Sequence, residues 1–448
     1  MRYIPHTEDD VRRMLEAVGV ATVEDLFASI PKKLLLDRAL NLPEPLDESA
    51  LCALMRKLAT ANTGSGDRMA QFLGAGAYAH HVPAAVDMLL QRGEFFTAYT
   101  PYQAEVSQGT LQAIFEYQSM MASLLGTELV NASMYDGASA TAEALLMALR
   151  VARKRKRLLL ARSLHPEVAE TCNSYLSEHD ESTETIPFGP QGTTDLDALK
   201  KTLGEGVAAV VIQSPNALGC IEPLAQIAEM VHAAGALLIA VVLEPVSLGM
   251  LEAPGHLGAD IVTGEGSAFG TGLNYGGPGL GLFGTTEKQV WQMPGRLVGE
   301  TTDDRGQTGY VLTMASREQH IRRGRATSNI CTNEGLCMLA AVIHLSLLGK
   351  QGLTELARIN AANAHTTAER LVQVNGVEMA FAAPYFNEFV LKVPGGVDAA
   401  LTRLDQAGIV GGLALKRFYP ELDDHLLLCV TELNDAEQVE RYAEALKA

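Results

Sequence analysis

Residues 207–213 read V-A-A-V-V-I-Q and residues 236–243 read A-L-L-I-A-V-V-L. Neither run alternates apolar with polar, so neither is a strand with one wet face. Continuous Val, Ile, Leu and Ala belong to strands covered on both sides. Between them S-P-N at 214–216 interrupts the chain, and a helix is predicted from about Leu224 to Ala234. Strand, helix and buried strand in succession make the unit of a parallel sheet with helices on both faces. The alternation continues upstream. Residues 157–161, R-L-L-L-A, form a short strand, and Val106 to Leu125 carries apolar residues at helical spacing. The run A-S-A-T-A-E-A-L-L-M-A-L-R after Gly137 is rich in helix formers. The predicted class is α/β, with a parallel-rich sheet in a large domain over residues 61–340.

The flanks differ. Residues 1–60 read as short helices with Pro-rich joints. Thr7 lies three before Asp10 as a capping box, and L-P-E-P-L at 42–46 is a joint. So short a segment has no core of its own and is expected to pack on another body, a second subunit being the natural one. Long helices follow from about 335 to 372, and residues 341–448 are predicted as a small C-terminal α/β domain. N-E-F-V-L-K-V at 387–393 alternates as a strand does, H-L-L-L-C-V at 425–430 is a second strand, and the Asn434–Asp435 cap opens a last helix. There is no internal repeat.

The 448 residues, 47% hydrophobic and 20% charged, can bury a core without staples. Acids outnumber bases 53 to 35, for a net charge of −18. That argues against nucleic acid or an anionic membrane as partner, since both need a positive face. The one basic run, R-V-A-R-K-R-K-R at 150–157, reads as a solvated helix end. The six cysteines show no C-x-x-C spacing, so no metal or redox site is expected. The N-terminal M-R-Y-I-P-H-T-E-D-D has no apolar signal core, and no uncharged apolar stretch approaches the roughly 20 residues of a membrane span. A cytoplasmic setting is expected.

Several segments carry polar chemistry. Gly279-L-G-L-F-G284 matches the spacing of a dinucleotide loop, but an apolar pair and T-T-E-K follow it rather than a helix, so it reads as a tight loop. Tyr135-D-G-A-S-A-T-A-E-A puts small residues, Gly137 and Ser139 among them, at a helix start, where exposed N–H groups form an anion cup. A plain helix N-terminus reads the same way. His165 in S-L-H-P-E-V sits just past the strand at 157–161, where a ring stacks on a planar cofactor or simply closes a turn. Y-T-P-Y-Q-A-E-V-S-Q-G (99–109) and R-A-T-S-N-I-C-T-N-E-G (325–335) are polar without the Lys and Glu of ordinary solvated loops, and each is a candidate site wall.

Taken together, Y-T-P-Y-Q-A-E-V-S-Q-G, Y-D-G-A-S-A-T-A-E-A, V-T-G-E-G-S-A-F-G (262–270), Y-G-G-P-G-L-G (275–281) and R-A-T-S-N-I-C-T resemble the glycine cleavage system P-protein family, in the right order and over nearly the whole chain. The length is similar to that of the first subunit of the two-chain form. The resemblance implies the aspartate-aminotransferase-like fold, fold type I. It implies an enzyme complex that decarboxylates glycine with pyridoxal phosphate and passes aminomethyl to the lipoyl group of the H-protein. Such chemistry needs a lysine for the Schiff base and an acid at the pyridine nitrogen. No lysine occurs between Lys201 and Lys288, and the expected position falls around Ser267. The acid expected near Val241 is absent, with only apolar residues until Glu244.

The resemblance therefore implies a subunit without covalently held cofactor. Its partner would hold the pyridoxal phosphate in an α2β2 assembly, and this chain's own cup (Gly137, Ser139, His165) would be vestigial. Residues lent to the partner's site are expected from Tyr99, Tyr102 and Gln103, with Gly276, Gly277, Arg325, Thr327, Ser328 and Asn329 toward the cofactor. Two rivals stand beside this reading: a self-sufficient pyridoxal phosphate decarboxylase or aminotransferase using a lysine such as Lys288, and a non-enzymatic regulatory or binding relic of the fold.

Overall fold

The computed structural model describes residues 5–62, 69–178 and 182–447. The chain forms two compact units, Met1–Thr63 and Gly64–Ala448. The first contains α1 (Glu8–Val18) and α2 (Glu48–Thr60). Thr7 and Asp10 make the reciprocal capping box: the Thr7 side chain accepts from Asp10 N, and the Asp10 carboxylate accepts from Thr7 N at 2.9 Å. Asp47 caps α2 by accepting from Ala50 N. Neither helix has a buried residue, and Leu34, Leu40, Leu42 and Met55 are exposed. Residues 1–4 of the expected arm lie outside the described residues.

The second unit begins with the short strand β1 (Ala70–Gln71) and the helices α3 (Ala84–Leu90), α4 (Gly93–Phe96) and α5 (Gln108–Leu125). Then strands and helices alternate: β2 (Leu129–Val130), α6 (Gly137–Ala152), β3 (Arg157–Ala161), α7 (Pro166–Leu176), β4 (Ser182–Ile186), α8 (Leu196–Thr202), β5 (Val207–Gln213), α9 (Leu224–Ala233), β6 (Leu237–Val242), β7 (Ile261–Glu265) and β8 (Gly281–Thr285). Strands β2 to β8 form one sheet in the order β2-β8-β7-β6-β5-β3-β4. The pairs among β3 to β7 are parallel, and β8 runs antiparallel to both β7 and β2.

The two-sided burial predicted from 207–213 and 236–243 has its cause in the alternation of side chains along each strand. Leu159, Val210, Leu238 and Val242 join one core cluster with Leu111, Tyr117 and Met121 of α5. Their neighbours Leu158, Leu160, Val211, Ile239 and Val241 join another with Ala144, Leu145 and Ala148 of α6. With both faces dry, every position of β5 is buried. One expectation fails: Gly279-L-G-L-F-G284 is not a tight loop, because Gly281–Thr285 is the strand β8. Its glycines answer close packing. A Cβ on Gly281 would meet Met134 Cβ at 2.5 Å, and one on Gly284 would meet Thr127 Oγ1 at 2.4 Å.

A hairpin, β9 (Leu297–Thr302) and β10 (Thr308–Thr313), and the short α10 (Gln319–Arg322) lead to α11 (Gly335–Leu371). Among the described residues this is the helix long and apolar enough to cross a membrane by length and composition, yet half of its apolar window is buried within the fold. It also breaks at Gly349, whose φ of 59° and ψ of 179° are not helical. The C-terminal part then builds a second sheet from β11 (Glu378–Met379), β12 (Glu388–Lys392), β14 (Leu413–Ala414) and β15 (His425–Cys429), in the order β11-β12-β15-β14. Helices α12 (Val397–Gln406) and α13 (Ala436–Leu446) accompany it, and β13 (Ile409–Val410) pairs with β1 in parallel. Asp435 caps α13 by accepting from Gln438 N.

At Gly264 the backbone of β7 runs so close to β6 that a Cβ would lie 2.1 Å from the Val242 carbonyl oxygen. Gly264→Ala is expected to destabilise the chain by about 2 kcal/mol or more, as overpacking at rigid backbone does. Gly324→Ala, where the added methyl meets nothing within 4 Å, should stay within about 0.5 kcal/mol of the parent. Urea unfolding of both variants checks the contrast.

Candidate active site

In an open parallel sheet the chain leaves its strands for loops at their carboxyl ends, and ligands collect there. Two adjoining cavities of about 370 and 340 Å³ lie at that edge and share Gly76, Ala77, Asp136 and Glu265. Gly137, the first residue of α6, and His165, the cap of α7, line the first; Ser267, Gly276 and Gly277 line the second. Gly137 and His165, expected in this chain's own cup, thus line one cleft together with Gly276 and Gly277, which were expected to face a partner's site. Ser139 is buried with its hydroxyl turned back to the Asp136 carbonyl at 3.2 Å. Gly137 sits where a Cβ would approach Gly264 C at 2.9 Å, so the cup requires glycine for packing.

His165 is held rather than free. Its Nε2 lies 2.9 Å from the Ala75 carbonyl, and its backbone N donates to Gln213 Oε1 at 2.8 Å. Burial holds its pKa below the ordinary histidine value.

The cleft does not suit a phosphorylated aldehyde cofactor. The charged groups on its walls are Asp136, Glu167 and Glu265, and no lysine or arginine lines either cavity. The cup's donors are already taken: Gly137 N donates to Glu265 Oε2 at 3.0 Å, and Ser139 N to Asp136 Oδ1 at 2.7 Å. Ser267 stands where the lysine is expected, two residues past the end of β7. Lys288 cannot replace it. Thr285 pairs with Ile261 at the start of β7, so Lys288 leaves β8 at the opposite edge of the sheet from Ser267. Five residues of strand separate those edges, roughly 13 Å at about 3.3 Å per step.

The acid beyond β6 is engaged elsewhere. Glu244, 2% exposed, lies 3.0 Å from His80 Nε2 and accepts from Asn387 Nδ2 at 2.9 Å. His80 Nδ1 lies 2.9 Å from Glu432 Oε2, which also accepts from Asn360 Nδ2 at 3.0 Å. Burial alone pushes His80 toward the neutral form, but Glu244 and Glu432 outweigh it and raise its pKa to about 10. Burial opposes the ionised form of Glu432 too, and bonds from His80 prevail, bringing it to about 2. A buried imidazolium therefore bridges the ends of β6 and β15. Beside it Glu388 accepts from Tyr78 OH at 2.7 Å and Ala75 N at 2.6 Å, and burial lifts its carboxyl to about 7.

The polar loops gather at a second place. A cavity of about 320 Å³ is lined by Tyr99, Thr100 and Pro101 from one loop and by Thr332, Asn333 and Glu334 from the other, with Ile114, Leu336 and Leu339 as its apolar floor. Tyr102, 57% exposed, stands outside it: buried Arg296 places its Nη2 3.4 Å from the phenol oxygen, donates to Thr100 Oγ1 at 3.1 Å and pairs with Glu318 at 3.3 Å. Gln103, Arg325 and Asn329 are exposed. Thr327 N donates to the Arg317 carbonyl, and Ser328 Oγ accepts from Ile330 N, neither residue lining the cavities above. Sequence reading missed Arg296, His80 and Glu265. Glu265 alone left a trace, as a lone acid inside the V-T-G-E-G-S motif; the others are ordinary in sequence, and only the fold brings their partners to them.

Comparison with known proteins follows the same lines. The glycine cleavage system P-protein family profile matches residues 1–446. The probable glycine dehydrogenase (decarboxylating) subunit 1 of Desulfitobacterium hafniense is 50% identical over 444 residues, 98% of each chain. That of Anaeromyxobacter dehalogenans is 49% identical over the full length of both. A crystal structure of glycine decarboxylase (P-protein) of the glycine cleavage system, in inhibitor-bound form, superposes with a TM-score of 0.91 at 45% identity, covering 100% of this chain and 99% of that one. A sphingosine-1-phosphate lyase of Burkholderia pseudomallei, 16% identical, shares the fold with a TM-score of 0.68 over 94% of this chain and 93% of that one. The fold is the fold type I architecture.

The His80 bridge makes the fold pH-sensitive on the alkaline side. With a folded pKa of about 10 against an ordinary 6.5, its stabilisation is complete below pH 6.5 and is lost as pH rises to 10. Thermal melts of the native chain should show a steeper fall in Tm across that window than melts of His80→Gln, which carries no titrating ring. Parallel slopes would disprove the buried imidazolium.

Proposed function

We propose that this chain, which belongs to the glycine cleavage system P-protein family, works as the subunit of glycine dehydrogenase (decarboxylating) that carries no cofactor of its own. The observation behind this reading is the cleft at the carboxyl edge of the sheet, which keeps the shape of a cofactor site without its chemistry. Ser267 stands in for a lysine, and the walls are acidic. A second subunit of the same family holds pyridoxal phosphate on its lysine, in an α2β2 assembly of the two chains. That cofactor supplies the electron sink for loss of carbon dioxide from glycine. The lipoylated H-protein accepts the aminomethyl group, and the complex works in the cytoplasm.

This chain's own residues act by shaping the partner's pocket. Buried Arg296 steers the loop of Thr100 and Tyr102, which puts an exposed phenol in a set direction. The loop 275–277 projects from the cleft rim, with Tyr275 92% exposed and Gly276 at a φ of 99°. Tyr99, Tyr102 and Gln103 close the neighbouring pocket against water and orient the glycine carboxylate, while Gly276, Gly277 and the segment from Arg325 to Asn329 face the partner's cofactor. Positioning of this kind is worth catalysis only when the group is rigidly held, and the Arg296–Glu318 pair holds this one. The apolar arm residues Leu34, Leu40 and Leu42 supply part of the subunit interface.

The chain purified alone should form no borohydride-reducible aldimine, whereas the co-expressed pair should exchange bicarbonate into glycine. Label from tritiated borohydride on any lysine of this chain would sink the reading. Within the assembled pair, Tyr102→Phe should lower exchange roughly 10-fold, the worth of one hydrogen bond of about 1.4 kcal/mol. An unchanged rate in an intact complex leaves Tyr102 a packing residue.

A further inference from the structure

Glu265 takes donors of the anion cup from three segments, while the Ser139 N–H goes to the Asp136 carboxylate. Glu265 Oε2 accepts from Gly137 N at 3.0 Å, and Oε1 accepts from Leu280 N at 2.7 Å and Ser267 N at 3.0 Å. The donors come from three segments: the first turn of α6, the loop after β7 and the entry to β8. Backbone N–H groups of this kind, aimed at one point beside a helix start, are what a phosphate dianion takes when it binds there. The cup's hydroxyls are turned away as well, Ser139 to the Asp136 carbonyl and Thr141 to Thr263 Oγ1 at 2.9 Å. Gly279 closes on the same carboxylate, since a Cβ there would lie 3.0 Å from Glu265 Oε2.

We propose that Glu265 is a built-in surrogate for the cofactor phosphate, occupying the cup's donors and expelling free phosphate and phosphorylated ligands from this chain. The inference rests on the reading that this subunit holds no cofactor, and it names the device that keeps the cup closed. Two effects act together. The carboxylate satisfies partly buried donors that otherwise require an anion or water. Its charge, with Asp136 beside it and no lysine or arginine on the walls, repels any second anion. A chain that has lost its lysine but kept an open cup would still bind phosphate; this one has exchanged an external anion for an internal one.

The test uses the full chain, with inorganic phosphate as the probe and chloride at matched ionic strength as the control. The native Tm should not respond to phosphate. Glu265→Ala should lower Tm in chloride by roughly 2–6 °C, the effect of stranding buried donors, and phosphate should restore at least half of the loss. A Glu265→Ala variant indifferent to phosphate overturns the proposal. So does saturable heat when native chain is titrated with inorganic phosphate, a measurement independent of how the variant folds. Either result leaves the functional reading standing, because that reading falls only if this chain carries the cofactor on a lysine.

Discussion

Every buried N–H must find an acceptor, and at the carboxyl edge of this sheet the demand is concentrated. The first turn of α6 points its free donors into the same small volume where β7 ends and β8 begins. In a cofactor-bearing relative of such a fold a ligand can meet that demand. Here Glu265 meets it from within, at the point where α6 approaches β7 most closely through Gly137. That approach in turn requires Gly137, whose missing side chain leaves room for the Gly264 backbone, while Gly264 leaves room for Val242 of β6. This set of bonds ties the first turn of α6 to the end of β7 and the entry to β8, and lines the cleft there.

The same economy governs the charges at the joint of the two sheets. A carboxylate at the end of β6 in a dry interior needs a cation or several donors, since an unpaired buried charge costs several kcal/mol. His80 supplies the cation, and Glu432 of the C-terminal sheet shares it. The bridge spends on intrachain structure the acid that comes nearest to the place of a pyridine-nitrogen partner. Together with Glu265 it shows a cleft whose polar groups are mutually satisfied. Polar reach is left to the outside of the unit, in the exposed Tyr99, Tyr102 and Tyr275. Arg296 marks the boundary between the two regimes: its guanidinium is buried against Glu318, yet it holds a phenol that faces outward.

Much of the architecture was legible because local patterns and burial agree. Val207–Gln213, Arg157–Ala161 and the helix from Leu224 stand where apolar runs and helix formers predict them, and Asp435 caps the last helix as its position suggests. The glycines at 279–284 misled, since their spacing reports close packing as readily as a loop. Glycine at a strand crossing and glycine in a turn look alike until the neighbouring chain is known. The lysine gap was equally legible, because an absence over so long a span needs no coordinates to be read.

The sequence by itself therefore determined the fold class, the family and the absence of lysine between Lys201 and Lys288, because periodicity, motif order and residue identity are local properties of the chain. Tertiary structure alone decided how the polar groups of the cleft are partnered. His80 and Glu432 are 352 residues apart, Gly137 and Glu265 are 128 apart, and Thr100 and Arg296 are 196 apart. His80 becomes an imidazolium against the opposition of burial only because folding sets Glu244 and Glu432 within 3 Å or so of its ring, and Glu265 meets the N–H groups of Gly137, Ser267 and Leu280 only because the sheet brings them to it. No spacing rule encodes such pairs, since their distance is set by the twist and order of the sheet rather than by position along the chain.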